Sequence, residues 1–322
     1  MGLDIKRIAN PEEVRDLAPT LVDLLNAGVP AAPHYRPVAV DELVRRTDND
    51  PRFPERAILM AYEGGAPIGW CHLEPPTIAL AGGDLYPYVG AHTVFQPGLP
   101  HVPAGEGYSA AVTGLLYAAC QVRAQQEASG VELFAPADHP AEDDLRAAGF
   151  QPVDPWATYA AGLAGVGAGR APVHVSSAKG AQVERFPAIL REAGLLAGEF
   201  TPADLSALIE SSGGFDPQGL LLAESSGQVV GYAAVMIDGP YADATGRRRA
   251  WLGFGPFGMG ALAGPEQPER FATLVSAARI SAFCRGATEL ALVARADGRQ
   301  PAVWAERGFK AEVRWQRWRT EL

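Results

Sequence analysis

The feature that most constrains this chain is an internal repeat. The segment Ile58-Leu59-Met60-Ala61-Tyr62-Glu63-Gly64-Gly65-Ala66-Pro67-Ile68-Gly69-Trp70 resembles Leu220-Leu221-Leu222-Ala223-Glu224-Ser225-Ser226-Gly227-Gln228-Val229-Val230-Gly231-Tyr232. Gly69 and Gly231 stand 162 positions apart. Each segment is an apolar run, a Gly-containing turn and a second run ending in an aromatic, the pattern of a β-hairpin. A second match pairs Pro140–Phe150 with Pro301–Phe309, and Gly149 and Gly308 are 159 positions apart. Proline suits a first helical position, where its missing N–H is no loss, and glycine just past a helix end tolerates the left-handed closing conformation. Trp156 and Tyr159 then correspond to Trp315 and Trp318, again at a spacing of 159. Two separate matches at nearly one spacing are hard to obtain by chance, so the chain reads as a duplicated unit.

The order of elements agrees between the copies. A strand at 4–8 leads into Asn10-Pro11-Glu12-Glu13, a capping-box-like helix start, and Val14, Leu17, Leu21, Leu24 and Leu25 fall on one helical face. In the second half the strand is 173–175, and Val183, Phe186, Ile189 and Leu190 supply the helical face. Thr201-Pro202-Ala203-Asp204 predicts a further helix start. The stretch 161–170 has no periodicity and four glycines, and reads as the linker. The expected domains are therefore 1–162 and 171–322.

With 48% hydrophobic and 20% charged residues over 322 positions, each half can bury a core, which excludes a disordered or fibrous chain. The net charge of −10 has the wrong sign for a nucleic-acid or anionic-membrane binder and weakly favours a cationic substrate such as an amine. No apolar run is long enough to span a bilayer, and the N-terminus is not a signal peptide. Cys71, Cys120 and Cys284 are far apart and odd in number, so they read as buried thiols in a reducing compartment. Adjacent Cys71 and His72 cannot build a tetrahedral site alone, so no metal is expected. A cytoplasmic protein follows as the expectation.

Each half reads strand, helices, hairpin, long strand, long helix, strand, short helix ending in Gly-Phe, last strand. This order resembles the GCN5-related N-acetyltransferase (GNAT) superfamily over nearly the whole chain, as two tandem copies with degenerate motifs. The resemblance implies an α/β (α+β) fold of two GNAT-like domains, each a mixed, mostly antiparallel sheet flanked by helices. It also implies a V-shaped gap between the fourth and fifth strands that takes acyl-CoA, with the diphosphate on the start of the long helix. A helix start offers unpaired N–H groups and partial positive charge, and glycines let phosphate oxygens approach closely. The family motif there is Gln/Arg-x-x-Gly-x-Gly/Ala, and its best match in the first half is Ala104-Gly105-Glu106-Gly107-Tyr108-Ser109, after a predicted strand at 86–95 and before a helix reaching about Arg123. The corresponding stretch of the second half, Ala261-Leu262-Ala263-Gly264-Pro265-Glu266-Gln267-Pro268, puts Pro and Glu where donors are wanted. That copy is expected to have lost cofactor binding.

The implied activity is transfer of an acyl group, most simply acetyl from acetyl-CoA as cosubstrate, to a small-molecule amine by direct attack. Such chemistry needs a base for the ammonium proton and an acid for the departing thiolate. Many relatives supply the acid from a Tyr four residues before the Gly of Gly-Phe; here Leu145 and Trp304 stand there, and neither donates a proton to a thiolate. Candidate bases are His92, on the predicted fourth strand, and Glu74, at the end of the hairpin. His92 equally fits a hydrogen-bonded, half-buried histidine, and Glu74 a solvated strand end. Asp238 and Tyr241 could meet a substrate, and Arg247-Arg248-Arg249 reads as a solvated turn or a clamp for an anion. The alternative function is a non-catalytic tandem module that binds another ligand or a partner.

Overall fold

The computed structural model describes residues 2–27, 38–48, 53, 57–73, 102–103, 105, 107–125, 130–137, 141–164, 174–195, 216–238, 242, 245–253, 259–261 and 267–322. These fall into two compact units. The first holds residues up to 73, those from 102 to 155, and 315–322; the second holds 156–314.

In the first unit, β1 (Leu3–Ile8), β2 (Ile58–Glu63) and β3 (Ala66–His72) form an antiparallel sheet in the order β1-β2-β3. Gly64 and Gly65 join β2 to β3 with φ of 58° and 86°. Positive φ at both turn positions suits the right-handed twist of a tight hairpin, and glycine adopts it freely. Helix α1 (Pro11–Ala27) opens as the sequence predicts: the Glu12 N–H donates to the Asn10 side chain at 3.0 Å. Its buried stripe, Val14, Ala18, Leu21, Val22 and Leu25, packs toward one face of the sheet. A second helix, α2 (Val40–Asp48), lies against α1. Alternation along β2 then divides the core. Ile58 and Met60 join Ile8, Leu21 and Trp70, while Leu59 and Ala61 join the cluster under helix α3 (Tyr108–Gln125). That cluster runs on through β4 (Gly130–Pro136), helix α4 (Glu142–Ala147) and Phe150.

The second unit repeats the plan. It contains β6 (His174–Ser177), the short helices α5 (Ala181–Glu184) and α6 (Phe186–Glu192), and the hairpin β7 (Leu220–Ser225) and β8 (Gln228–Ile237). These are followed by β9 (Arg249–Leu252), β10 (Met259–Ala261), α7 (Gln267–Cys284), β11 (Glu289–Arg295) and α8 (Gln300–Glu306). Its strands run β11-β9-β8-β7-β6, with β10 also on β8. The hairpin turn carries positive φ at Ser226 and Gly227, the counterparts of Gly64 and Gly65.

Two strands depart from a simple reading of the repeat. β5 (Gln151–Gly162) begins in the first unit and ends in the second, where Trp156–Gly162 pair antiparallel with Arg295–Glu289 of β11. Ala161, expected to open the linker, is thus a strand residue, opposite Leu290 and 3% exposed. Its small side chain fits the close-packed sheet face, and glycine-rich composition downstream hid this. β12 (Lys310–Glu321) begins in the second copy, yet its last residues, Trp315–Glu321, pair antiparallel with Pro136–Gly130 of β4. Trp318 is thereby buried in the first unit's core. The predicted strand at 86–95 and the predicted helix start at Thr201 lie outside the described residues.

Candidate functional site

The first copy's candidate site is the start of α3. Gly107 precedes the helix with φ of 87°, a conformation in which a side chain is strained. The Tyr108 N–H donates to the Gly105 carbonyl at 3.3 Å and the Ala111 N–H to the Gly107 carbonyl at 3.0 Å. Among the described residues, the N–H groups of Ser109 and Ala110 have no backbone acceptor. These are the donors a helix start leaves over. Among the described residues nothing lies within 4 Å of where a Gly105 side chain would begin. Ala104, Glu106, Glu74 and His92 lie outside the described residues.

Two carboxylates flank the same turn, and sequence reasoning missed both. Asp144 of α4 is 7% exposed and accepts a hydrogen bond from the Ser109 hydroxyl. Burial, and secondarily the Asp144 charge, pushes the Tyr108 phenol above its ordinary range. A side chain at Gly107 would meet Glu63 Oε2 at 3.9 Å. No sequence signal ties Glu63 to this turn, because it sits at the end of a hairpin strand far away in the chain. For a diphosphate the two effects oppose. A charge-assisted hydrogen bond contributes roughly 1.5–3 kcal/mol, whereas a screened like-charge contact at 4 Å in water costs about 1 kcal/mol. Glu63 is exposed, so its charge is screened, whereas Asp144 is nearly buried.

The second copy is built differently at the matching places. Its long helix α7 opens on Gln267 and Pro268 with Glu269 in the first turn, so one donor is missing and a carboxylate is present. β9 pairs in parallel with β11 over Arg249–Trp251 and Glu289–Ala291. Near them Trp304 is fully buried, with ring centroids 5.4 Å from both Phe271 and Phe309, in one cluster with Leu252, Met259 and Leu292. Leu145, its counterpart in the first copy, is also fully buried. Both positions act as core.

The cationic run resolves into structure. Arg249 is fully buried, donating to Glu289 at 2.7 Å and to Glu312 at 2.6 Å, and Arg247 reaches the same two carboxylates. A solvated turn therefore does not describe Arg249, and the anions it clamps are the protein's own. Asp238 accepts from Trp251 Nε1 at 2.9 Å, and Tyr241 lies outside the described residues. Among the described residues no cluster of His, Cys, Asp and Glu could hold a metal ion, and no helix is long and apolar enough to cross a membrane.

With this geometry in view, the relatives can be weighed. No protein-family model and no curated protein matches the sequence. Solved structures do match over 99% of the chain. One is the GCN5-related glucosamine N-acetyltransferase region of a fungal multi-domain GH3 β-N-acetylglucosaminidase (TM-score 0.65, 14% identity), of which this chain spans 38%. Another is a GCN5-related N-acetyltransferase from Sphaerobacter thermophilus (TM-score 0.61, 17% identity, 95% of that chain). At this level of identity the likeness defines the fold, which is that of the GCN5-related N-acetyltransferases. Its duplicated form is matched by a tandem GNAT protein from the clavulanic acid biosynthesis pathway, with a TM-score of 0.63 and 15% identity over 98% of that protein.

Proposed function

We propose that this protein is an acyl-CoA-dependent N-acyltransferase that moves an acetyl group from acetyl-CoA to a small-molecule amine. The observation that carries the reading is Gly107, at a φ that favours glycine, opening the 18-residue helix α3 beside the Ser109 and Ala110 N–H groups, which have no backbone acceptor among the described residues. Gly105, Gly107, Tyr108 and Ser109, with neighbouring Ala104 and Glu106, would hold the diphosphate through main-chain donors. Acetyl-CoA supplies the activated acyl group. The amine nitrogen forms a bond to the acyl carbon as the C–S bond breaks, and His92 or Glu74 takes the ammonium proton. Leu145 and Trp304 offer the thiolate no acid, so it leaves as the anion and takes its proton from solvent. The second copy serves as a structural partner: Pro268 and Glu269 at its helix start, and Trp304 packed against Phe271, favour that role. Three unpaired cysteines and a net charge of −10 accord with a reducing cytoplasm and with a substrate that is not nucleic acid.

Calorimetric titration with acetyl-CoA tests this reading. Saturable heat and thermal stabilisation are expected; neither, at millimolar ligand, overturns it. A second reading, a tandem module that binds without turnover, is favoured by Leu145 and Trp304, and by Ala104 in place of the motif's Gln or Arg. CoA binding with no product across a panel of amines would select it.

A further inference from the structure

Among the described residues β1 pairs with β2 alone, so its outer side is a sheet edge. An edge offers a row of backbone donors and acceptors to another chain. Along this one Leu3, Asp4, Lys6 and Arg7 are exposed and Ile5 is half-buried. Asp4 and Lys6 are two apart, so they stand on one face of the sheet. They carry opposite charges, yet the Lys6 ammonium lies 4.9 Å from the ring centroid of Tyr62, which is the ladder partner of Asp4. Neither charge has an ion-pair partner among the described residues. On the other face, a side chain at Gly114 would begin 2.5 Å from Leu3 Cδ2, so α3 lies directly on the edge strand. Tyr117, one turn further along the same side of α3, is 61% exposed, and Leu3 beside it is 37% exposed.

The strand is complementary to a second copy of itself. Residues directly opposite each other in an antiparallel ladder share a face, so a two-fold axis between two such strands must fall on a residue. An axis on Asp4, Lys6 or Arg7 sets like charges against each other. An axis on Ile5 places Asp4 of each copy opposite Lys6 of the other, and symmetry forms both ion pairs at once. The same operation sets the exposed Leu3 and Tyr117 of both copies on one side of the joined sheet, where each helix α3 faces its counterpart.

We propose that two copies of this chain pair through β1, antiparallel about Ile5, and join their three-stranded sheets edge to edge. The inference rests on the edge alone and does not depend on the function proposed above.

Analytical ultracentrifugation of the full chain tests it. A concentration-dependent dimer is expected at chain concentrations up to about 100 μM, the range of weak specific association. Asp4→Lys puts like charges opposite each other twice in this dimer, and so does Lys6→Asp. Each variant alone should therefore dimerise at least about tenfold more weakly. Mixed in equal amounts, the two variants should pair with each other at close to native affinity, because each carries the charge that the other's edge lacks. A monomer at every concentration, a dimer indifferent to both reversals, or variants that do not recover on mixing overturns the proposal. Both substitutions fall at exposed positions. Should one of them not fold, the other variant and the salt dependence of the native dimer decide: weakening in both is expected, and no response in either overturns the proposal.

Discussion

Arg317 holds Asp154 with two nitrogens at once, Nε to Oδ1 at 2.7 Å and Nη2 to Oδ2 at 2.9 Å. Its Nη1 reaches Glu132 at 3.2 Å. The three residues lie on adjacent strands β12, β5 and β4, and the two carboxylates are nearly buried. Forked, desolvated pairing of this kind fixes geometry as well as charge. Arg317→Ala takes the fork from nearly buried Asp154 and leaves Glu132 with Arg319 at 3.5 Å, and should destabilise the protein by about 3 kcal/mol in urea unfolding. Arg317→Lys should recover less than half, since an ammonium cannot span both oxygens. A loss under about 1 kcal/mol for Arg317→Ala would assign the strand's hold to packing alone.

Packing makes its own prediction. Trp318 lies opposite Leu133 in the β12–β4 ladder and is 3% exposed. Trp318→Ala should cost about 3–5 kcal/mol by lost burial and cavity. Hydrogen exchange should quicken first in Gly130–Pro136, whose ladder partner is loosened, and much less in Leu220–Ser225. Uniform quickening across both units would contradict the local role.

The duplicated plan was legible because its signals are local. Each hairpin announces itself by an apolar run on both sides of a turn, and Gly149 and Gly308 close their short helices with φ of 89° and 77°. A last strand was expected from the order of elements. Where that strand goes was not legible, since Trp315 and Trp318, three apart and so on opposite faces, name no partner. Pairing with β4 is decided by tertiary complementarity, above all Arg317 against Asp154 and Glu132. The site was half legible for the same reason. Gly107 and the helix after it are a local pattern, but Asp144 and Glu63 reach the turn only through the fold. Arg249 read as part of a solvated run because its counter-ions, Glu289 and Glu312, are 40 and 63 residues away.

Gly105 and Gly107 separate strain from ligand contact. Gly107→Ala forces a side chain into a left-handed backbone and should cost about 1 kcal/mol of stability. Gly105→Ala meets no atom of the described residues within 4 Å and should leave the melting midpoint nearly unchanged. Both should weaken acetyl-CoA binding at least about tenfold by calorimetry if phosphate oxygens approach this backbone as closely as 3 Å. Full affinity in Gly105→Ala would move the diphosphate away from this turn.

The thiols give a prediction with a sign. Burial, and secondarily the neighbouring Cys120, pushes the Cys71 thiol from an ordinary 9.0 up to about 12, and burial pushes Cys120 to about 11. Both folded values exceed the unfolded one, so the native state holds these protons more tightly. Their stabilising contribution is complete below pH 9 and declines as pH rises toward 11 and then 12. Urea midpoints should therefore fall between pH 9 and 11 in the native chain, and fall less in Cys71→Ala/Cys120→Ala. Thiolate is also the reactive form. At pH 8 a disulfide reagent should modify the exposed Cys284 rapidly, the half-buried Cys120 more slowly and the buried Cys71 only on unfolding. Rapid reaction of Cys71 in the folded protein would contradict its burial in β3.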